Sequence, residues 1–204
     1  MTYYNIDRIY SITAVKEVNL MDEDIRLVKE VLNGNLDSFN ILVNKYEMQI
    51  IKFVYNMIRD KEASEDITQE VFITVYNKLF MYNPNYKFSN WVLQIARNKC
   101  IDYIRKYKRV YESNLEEMKD VSSKEISPEQ FAEYNETKDL VMNYINSLSP
   151  LDRQLILLRY TQELTFYDIG EILNMSESAV KRRYYKIRDK FKEYSNVKEK
   201  RWRV

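Results

Sequence analysis

The residues best suited to chemistry stand near the C-terminus. Ser178, Lys181, Arg182, Tyr185 and Lys186 follow one another at helical spacing, so a helix gathers them on one face. Cations on such a face contact phosphate and guanine, and hydroxyls make smaller contacts. That is the chemistry needed to enter a DNA major groove. The competing reading is a solvated basic helix in an ordinary bundle. A second set, Trp91, Gln94, Asn98, Asp102 and Arg105, also lies on one helical face. It follows a loop, FMYNPNYKF, that holds Tyr82, Asn83, Tyr86 and Phe88. Aromatic rings stack on unpaired bases and amides read the edges of extruded ones. The nearby Lys99, Lys106, Lys108 and Arg109 supply charge for phosphates. Trp91 alone equally suits half-buried packing. A third set, Asp66, Gln69, Glu70, Ile73 and Asn77, forms an acidic, amide-bearing stripe with an exposed isoleucine. It suits a basic, helical protein partner, or else it is a solvated helix face.

Composition excludes other chemistry. The chain has no histidine and one cysteine, Cys100, so a Cys/His zinc site, a histidine base and an internal disulfide are all ruled out. Carboxylates are abundant, but no nucleophile, metal set or glycine-rich phosphate loop accompanies them. We expect a non-enzymatic protein with no cofactor and no metal. No apolar run reaches the ~20 residues of a membrane span, and the first residues lack the apolar core of a signal peptide. A cytoplasmic location is the expectation, and a single cysteine is compatible with it. The net charge of +1 hides segregation: Gln94–Arg109 carries +5, Glu112–Asp139 carries −6 and Ser176–Val204 carries +7. Two basic segments separated by an acidic one suggest two nucleic-acid contacts and a stretch that avoids DNA.

The elements that must position these residues are helices. Two glycines and three prolines in 204 residues, with long 3.6-residue periods, predict an all-α chain. The first helix starts near Asp24 and stops near Gly34. The second runs from about Asp37 to Ile58, and the third from about Ala63 to Leu79. Ser89 is read as the cap of a fourth, with Leu93, Ala96, Cys100, Tyr103 and Tyr107 as its buried stripe and Phe88 and Leu93 as a hydrophobic staple. Ser127-Pro128 and Ser149-Pro150 are start signals. Thr165 and Asp168 form a capping box. Asn174 then ends one short helix and Ser176 caps the last, whose buried stripe is Val180, Tyr184, Ile187 and Phe191. The expectation is two small helical domains joined by a flexible acidic linker, the second ending in a helix-turn-helix. Residues 1–21 form an extension, 22–109 the first domain, 110–127 the linker, 128–195 the second domain and 196–204 a basic tail.

Three blocks make the chain familiar. EDITQEVFITVYNKLF, FSNWVLQIARNKCIDYIRK and LDRQLILLRYTQELTFYDIGEILNMSESAVKRRYYKIRDKF resemble the signatures of bacterial RNA polymerase sigma factors of the extracytoplasmic-function (ECF) group, in the sigma-70 superfamily. The resemblance implies that 22–109 is sigma region 2 and 128–195 sigma region 4. It also implies core RNA polymerase as partner, through the beta-prime clamp helices and the beta flap, together with promoter DNA. Asp66, Gln69, Glu70 and Phe72 match the block that meets the clamp helices, and Ile73 and Asn77 extend that stripe. Trp91, Ile95, Ala96, Arg97 and Asn98 match the part that melts and reads the minus-10 element. Tyr82, Asn83, Tyr86, Gln94, Lys99, Arg105 and Arg109 are assigned to the same contact. Ser178, Lys181, Arg182, Tyr185 and Lys186 are assigned to the minus-35 duplex. An anti-sigma factor is a further partner that the resemblance leaves open. Gly170 stands where the family usually has Ala, and Asn174 where it usually has Gly, and the turn geometry is expected to survive both. Tyr184 replaces the usual core Leu, a change expected to tilt the recognition helix slightly. A stand-alone helix-turn-helix regulator is the alternative, but it needs neither the acidic stripe nor the Trp91–Asn98 face.

Overall fold

In the computed structural model the described residues are 23–113 and 132–201, with side chains described for 23–107 and 140–195. Every regular element among them is helical. Contacts group the chain into two units that divide between Asp102 and Tyr103.

In the first unit, α1 covers residues 23–32 and α2 covers Leu36–Ile58. Gly34, at φ +95°, makes the turn between them, a backbone region open to glycine. Asn35 caps α2 by accepting from the Asp37 and Ser38 amides. The α2–α3 turn takes two residues. Arg59 ends α2 in the left-handed region, and Asp60 caps α3, Lys61–Lys78, by accepting from the Ala63 amide at 2.9 Å. Leu42, Tyr46, Ile50, Phe53 and Met57 of α2 are buried with Ile67, Val71 and Val75 of α3, two stripes at helical spacing. A buried carboxylate ties α1 to α2. Asp24 accepts from Lys45 Nζ at 2.7 Å and from the Tyr46 hydroxyl. A 3-10 turn, Leu79–Met81, leads into the loop before α4, Phe88–Ser113.

Helix α4 departs from expectation in three places. The Lys87 carbonyl accepts from the Asn90 and Trp91 amides, so Lys87 occupies the cap position and Ser89 lies inside the first turn. Tyr107, assigned to the buried stripe, is 63% exposed, whereas Val92 is fully buried. The helix also continues through Ser113, so residues 110–113 of the expected linker are helical. The remainder of that linker, the Ser127-Pro128 start, Phe131, residues 1–21 and the last three residues lie outside the described set.

The second unit builds its helix-turn-helix from α5 (Ala132–Ser147), α6 (Pro150–Thr161), α7 (Phe166–Leu173) and α8 (Glu177–Arg201). Ser149 caps α6 with Pro150 at the first position. Thr165 and Asp168 form the full capping box of α7, and Asn174 ends it at φ 55°. Ser176 accepts from the Ala179 amide to cap α8. Leu155, Leu158, Ile169, Ile172, Val180 and Ile187 are buried together. The buried Tyr144 hydroxyl donates to the Ile187 carbonyl at 2.7 Å and fastens α5 to α8. Tyr184 is half-buried, with its hydroxyl 2.8 Å from that of Tyr160 and its ring against Phe166. Helix α8 runs on to Arg201, through the first part of the expected tail.

Gly170 is not interchangeable with alanine here. A Cβ at Gly170 would stand 2.6 Å from the Met175 carbonyl oxygen, because the turn passes directly over α7. Alanine would gain up to ~1 kcal/mol of helix propensity, but forcing the turn outward costs ~1–3 kcal/mol. Gly170→Ala is therefore expected to lower the thermal midpoint of the full chain, followed by circular dichroism. A raised midpoint would show that the turn yields without cost.

Candidate functional site

The acidic stripe forms on α3 because burial claims the opposite side. Ile67, Val71 and Val75 face the core, which leaves Asp66, Gln69, Glu70, Ile73 and Asn77 exposed, with Ile73 at 61%. Phe72, matched to the same block, is a core residue. Beside the stripe, α2 and α3 frame an apolar groove of about 700 Å³ lined by Phe39, Val43, Ile51, Phe72, Ile73 and Tyr76. Glu47 and Glu65 stand at the same groove.

The loop before α4 is arranged differently from expectation. Tyr82, assigned to base contact, is only 9% exposed. Its ring packs edge-on against Phe88 at 5.3 Å and tilts toward Trp91 at 5.5 Å. Its hydroxyl donates to the Tyr86 carbonyl at 2.6 Å. Burial pushes the Tyr82 phenol up to about 12. Tyr82 is thus the internal strut of the loop, and as placed it offers no face to a base. Trp91 is half-buried against it. Asn83 is exposed and its side chain accepts from the Asn85 amide at 3.0 Å, a local turn. Tyr86 is exposed. Asn98 and Arg105 are exposed on α4 and Gln94 is half-buried. The Asn98 side-chain oxygen accepts from Arg97 at 3.2 Å. The Arg109 side chain lies outside the described set. Lys99 pairs with Glu70 at 3.0 Å, so the structure joins two residues that sequence reasoning assigned to separate surfaces.

Phe80 and Met81 are 73% and 63% exposed on the 3-10 turn. They follow the buried 67–71–75–79 register but fall outside it.

On α8, Ser178, Lys181, Arg182, Tyr185 and Lys186 are all exposed on the side away from Val180 and Ile187. Lys181 pairs with Glu177 at 2.7 Å, and Arg188 lies over the Tyr185 ring at 4.8 Å. Among the described residues, no group of three His, Cys, Asp or Glu could hold a metal ion. No helix of the described residues is long and apolar enough to cross a membrane. Cys100 is fully buried, and burial pushes its thiol up to about 12.

Comparison with known proteins decides the family. The Sigma-70 region 2 model matches residues 42–110, and the Sigma-70 region 4 model matches residues 138–191. ECF RNA polymerase sigma factor SigW of Bacillus subtilis is 32% identical over 170 residues, which cover 79% of this chain and 91% of SigW. The chain belongs to the ECF group of RNA polymerase sigma factors. SigM of the same organism is 29% identical, covering 74% of this chain and 91% of SigM. Two solved structures share the fold. CnrH in complex with the cytosolic domain of CnrY has a TM-score of 0.63 at 19% identity, covering 86% of this chain and 98% of that one. The sigma factor RpoE in complex with the anti-sigma factor NepR from Bartonella quintana has a TM-score of 0.60 at 19% identity, covering 78% and 97%. This sigma factor directs RNA polymerase to promoters, and a stand-alone helix-turn-helix regulator would leave its region 2 match unexplained. The family consists of transcription initiation factors rather than enzymes.

The burial of Tyr82 gives this sigma factor an alkaline signature. The unfolded phenol ionises near pH ~10, and the folded one at about 12. Between those values the unfolded chain binds fewer protons, so stability falls as pH rises through the window. Tyr82→Phe should cost ~0.5–1.5 kcal/mol at neutral pH through its lost hydrogen bond. It should also flatten the fall in thermal midpoint between pH ~10 and ~12. An unchanged profile would place Tyr82 in solvent.

Proposed function

We propose that the two units divide promoter recognition between them. Residues 22–109 act as region 2 and 128–195 as region 4, with 110–127 as the linker, 1–21 as an extension and 196–204 as a tail. The observation that carries this reading is the pair of exposed faces that packing leaves over: an acidic stripe on α3 and a cationic face on α8, within segments matched by region 2 and region 4. Asp66, Gln69, Glu70, Ile73 and Asn77 hold the beta-prime clamp helices of core polymerase. Their carboxylates meet cations, and Ile73 borders the apolar groove. The beta flap docks on the second unit, which has an apolar cavity of about 370 Å³ among Tyr144, Ile145, Leu148, Leu157, Tyr160 and Phe191.

Asn98, Tyr86 and Asn83 take an extruded base of the minus-10 element, with Trp91, Gln94, Lys99, Arg105 and Arg109 along the same strand. Tyr82 serves by holding the loop in shape. Ser178, Lys181, Arg182, Tyr185 and Lys186 address the minus-35 duplex. An anti-sigma factor is a further partner in this reading, as NepR is for RpoE. Transcription places the chain in the cytoplasm, and none of these steps calls for a metal or a cofactor.

Charge reversal at Asp66 and Glu70 together should abolish co-purification with core polymerase while circular dichroism stays unchanged. Normal co-purification would remove the clamp-helix assignment. Asn98→Ala should leave closed-complex formation intact and slow promoter opening ~2- to 10-fold, the worth of one or two hydrogen bonds. Permanganate reactivity of unpaired thymines reads this directly, and opening at the normal rate would place base capture elsewhere.

A further inference from the structure

A helix lying in a major groove has flanks as well as a leading face. The groove is ~12 Å wide and a helix with its side chains is ~10–12 Å across. The two sides of α8 must therefore approach the two phosphate strands.

The charges on those sides differ in state. On one side, Lys181 is paired with Glu177 at 2.7 Å, and Arg188 is paired with Asp189 at 3.3 Å. On the other side, Lys186 and Lys190 line a cavity of about 640 Å³ between α8 and the α5–α6 junction, which Arg182 and Arg183 also border and whose far wall holds Ser147 and Ser149. Both lysines are exposed, and neither has a carboxylate partner among the described residues. They stand one helical turn apart and so follow one line along the helix. The acid that lines this cavity, Asp152, is already engaged: one oxygen accepts from Arg183 Nη1 at 3.1 Å and the other from Ser149 Oγ at 2.8 Å. It therefore does not neutralise the lysines. Its pair with Arg183 also joins α8 to the first turn of α6, at side chains only 36% and 22% exposed.

We propose that this flank is a sequence-independent phosphate track, in which Lys186 and Lys190 hold the backbone of one strand beside the duplex that α8 reads. Arg183 is a positioning residue: held by Asp152, it fixes the rotation of α8 about its own axis. The track thus stays against one strand while Ser178, Arg182 and Tyr185 face the bases. The proposal rests on the assignment of α8 to promoter duplex. Within that assignment it separates Lys186 from the base-reading residues and adds Lys190 and Arg183 to the interface.

The test uses holoenzyme assembled from the full chain and core polymerase. Its binding to a cognate promoter fragment, and to one with a scrambled upstream element, is measured across a salt series. Lys186→Ala with Lys190→Ala should weaken both complexes equally, leave their ratio unchanged and reduce the log–log salt slope by ~0.9 per phosphate lost, so ~1.8 for the pair. Arg182→Ala should instead reduce the ratio between the two fragments. If Arg182→Ala affects neither affinity nor ratio, the assignment of α8 itself falls. If Arg182→Ala lowers the ratio while the double lysine variant keeps the original slope, the track alone falls, as it does if the lysine variant collapses the ratio. Arg183→Ala and Asp152→Asn should each lower the ratio with the slope unchanged, and their combination should be no worse than either alone. Additive losses, or a ratio that does not move, would overturn the positioning role.

Discussion

The closeness of the α7–α8 turn is the constraint on which the second unit depends. The Met175 carbonyl passes so near Gly170 that a Cβ would meet it at 2.6 Å, and the Met175 amide donates back to the Gly170 carbonyl at 2.8 Å. Asn174 takes the left-handed conformation that this reversal demands. The Thr165–Asp168 box and the Ser176 cap then fix where each helix starts. With both ends set by hydrogen bonds, the direction of α8 follows from a few local residues. Val180 and Ile187 need only fall into the core that Leu155, Leu158, Ile169 and Ile172 provide. Burial of one stripe decides which face is left over.

The first unit solves a harder problem. Its loop between the 3-10 turn and α4 must hold a shape without helical hydrogen bonds. It does so by burying an aromatic. Tyr82 packs on Phe88 and Trp91 while its hydroxyl takes the Tyr86 carbonyl, so a side chain replaces the missing backbone partner. Such a strut holds Asn83 and Tyr86 outward at no expense in flexible chain. It also explains the half-burial of Trp91. The ring serves the loop from within through its contacts with Tyr82 and Phe88, the packing reading that the sequence left open.

How much could be read beforehand follows from how local each determinant is. Helix spans, capping boxes and buried stripes depend on residues within four or five positions of each other, and the spacing of Leu42, Tyr46, Ile50 and Phe53 or of Thr165 and Asp168 displays them directly. Serine is the stronger cap by type, which points to Ser89, yet Phe88 is drawn into the first turn by its burial against Tyr46 and Tyr82. Period alone points Tyr107 to the core, but among the described residues only the Tyr103 ring stacks on it, and it stays 63% exposed. Tyr82 carries no periodic signal in a loop, and only tertiary packing distinguishes a buried ring there from an exposed one. The same holds for Lys99 and Glu70, 29 positions apart.

Charge is arranged by the same economy. Lys99 is satisfied by Glu70, and Lys181 by Glu177. Such exposed pairs contribute ~0–1 kcal/mol, too little to decide the fold. A partner that presents several charges at once exceeds that readily. Each of these lysines therefore sits in a temporary, solvent-screened arrangement that an incoming phosphate can exchange at small cost, while its carboxylate becomes available to an incoming cation. Arg183 and Asp152 are less exposed and share their contact with a helix cap, so this pair resists exchange. The distinction between exchangeable and fixed pairs follows burial. It separates charges that remain open to exchange from charges that hold a helix in place.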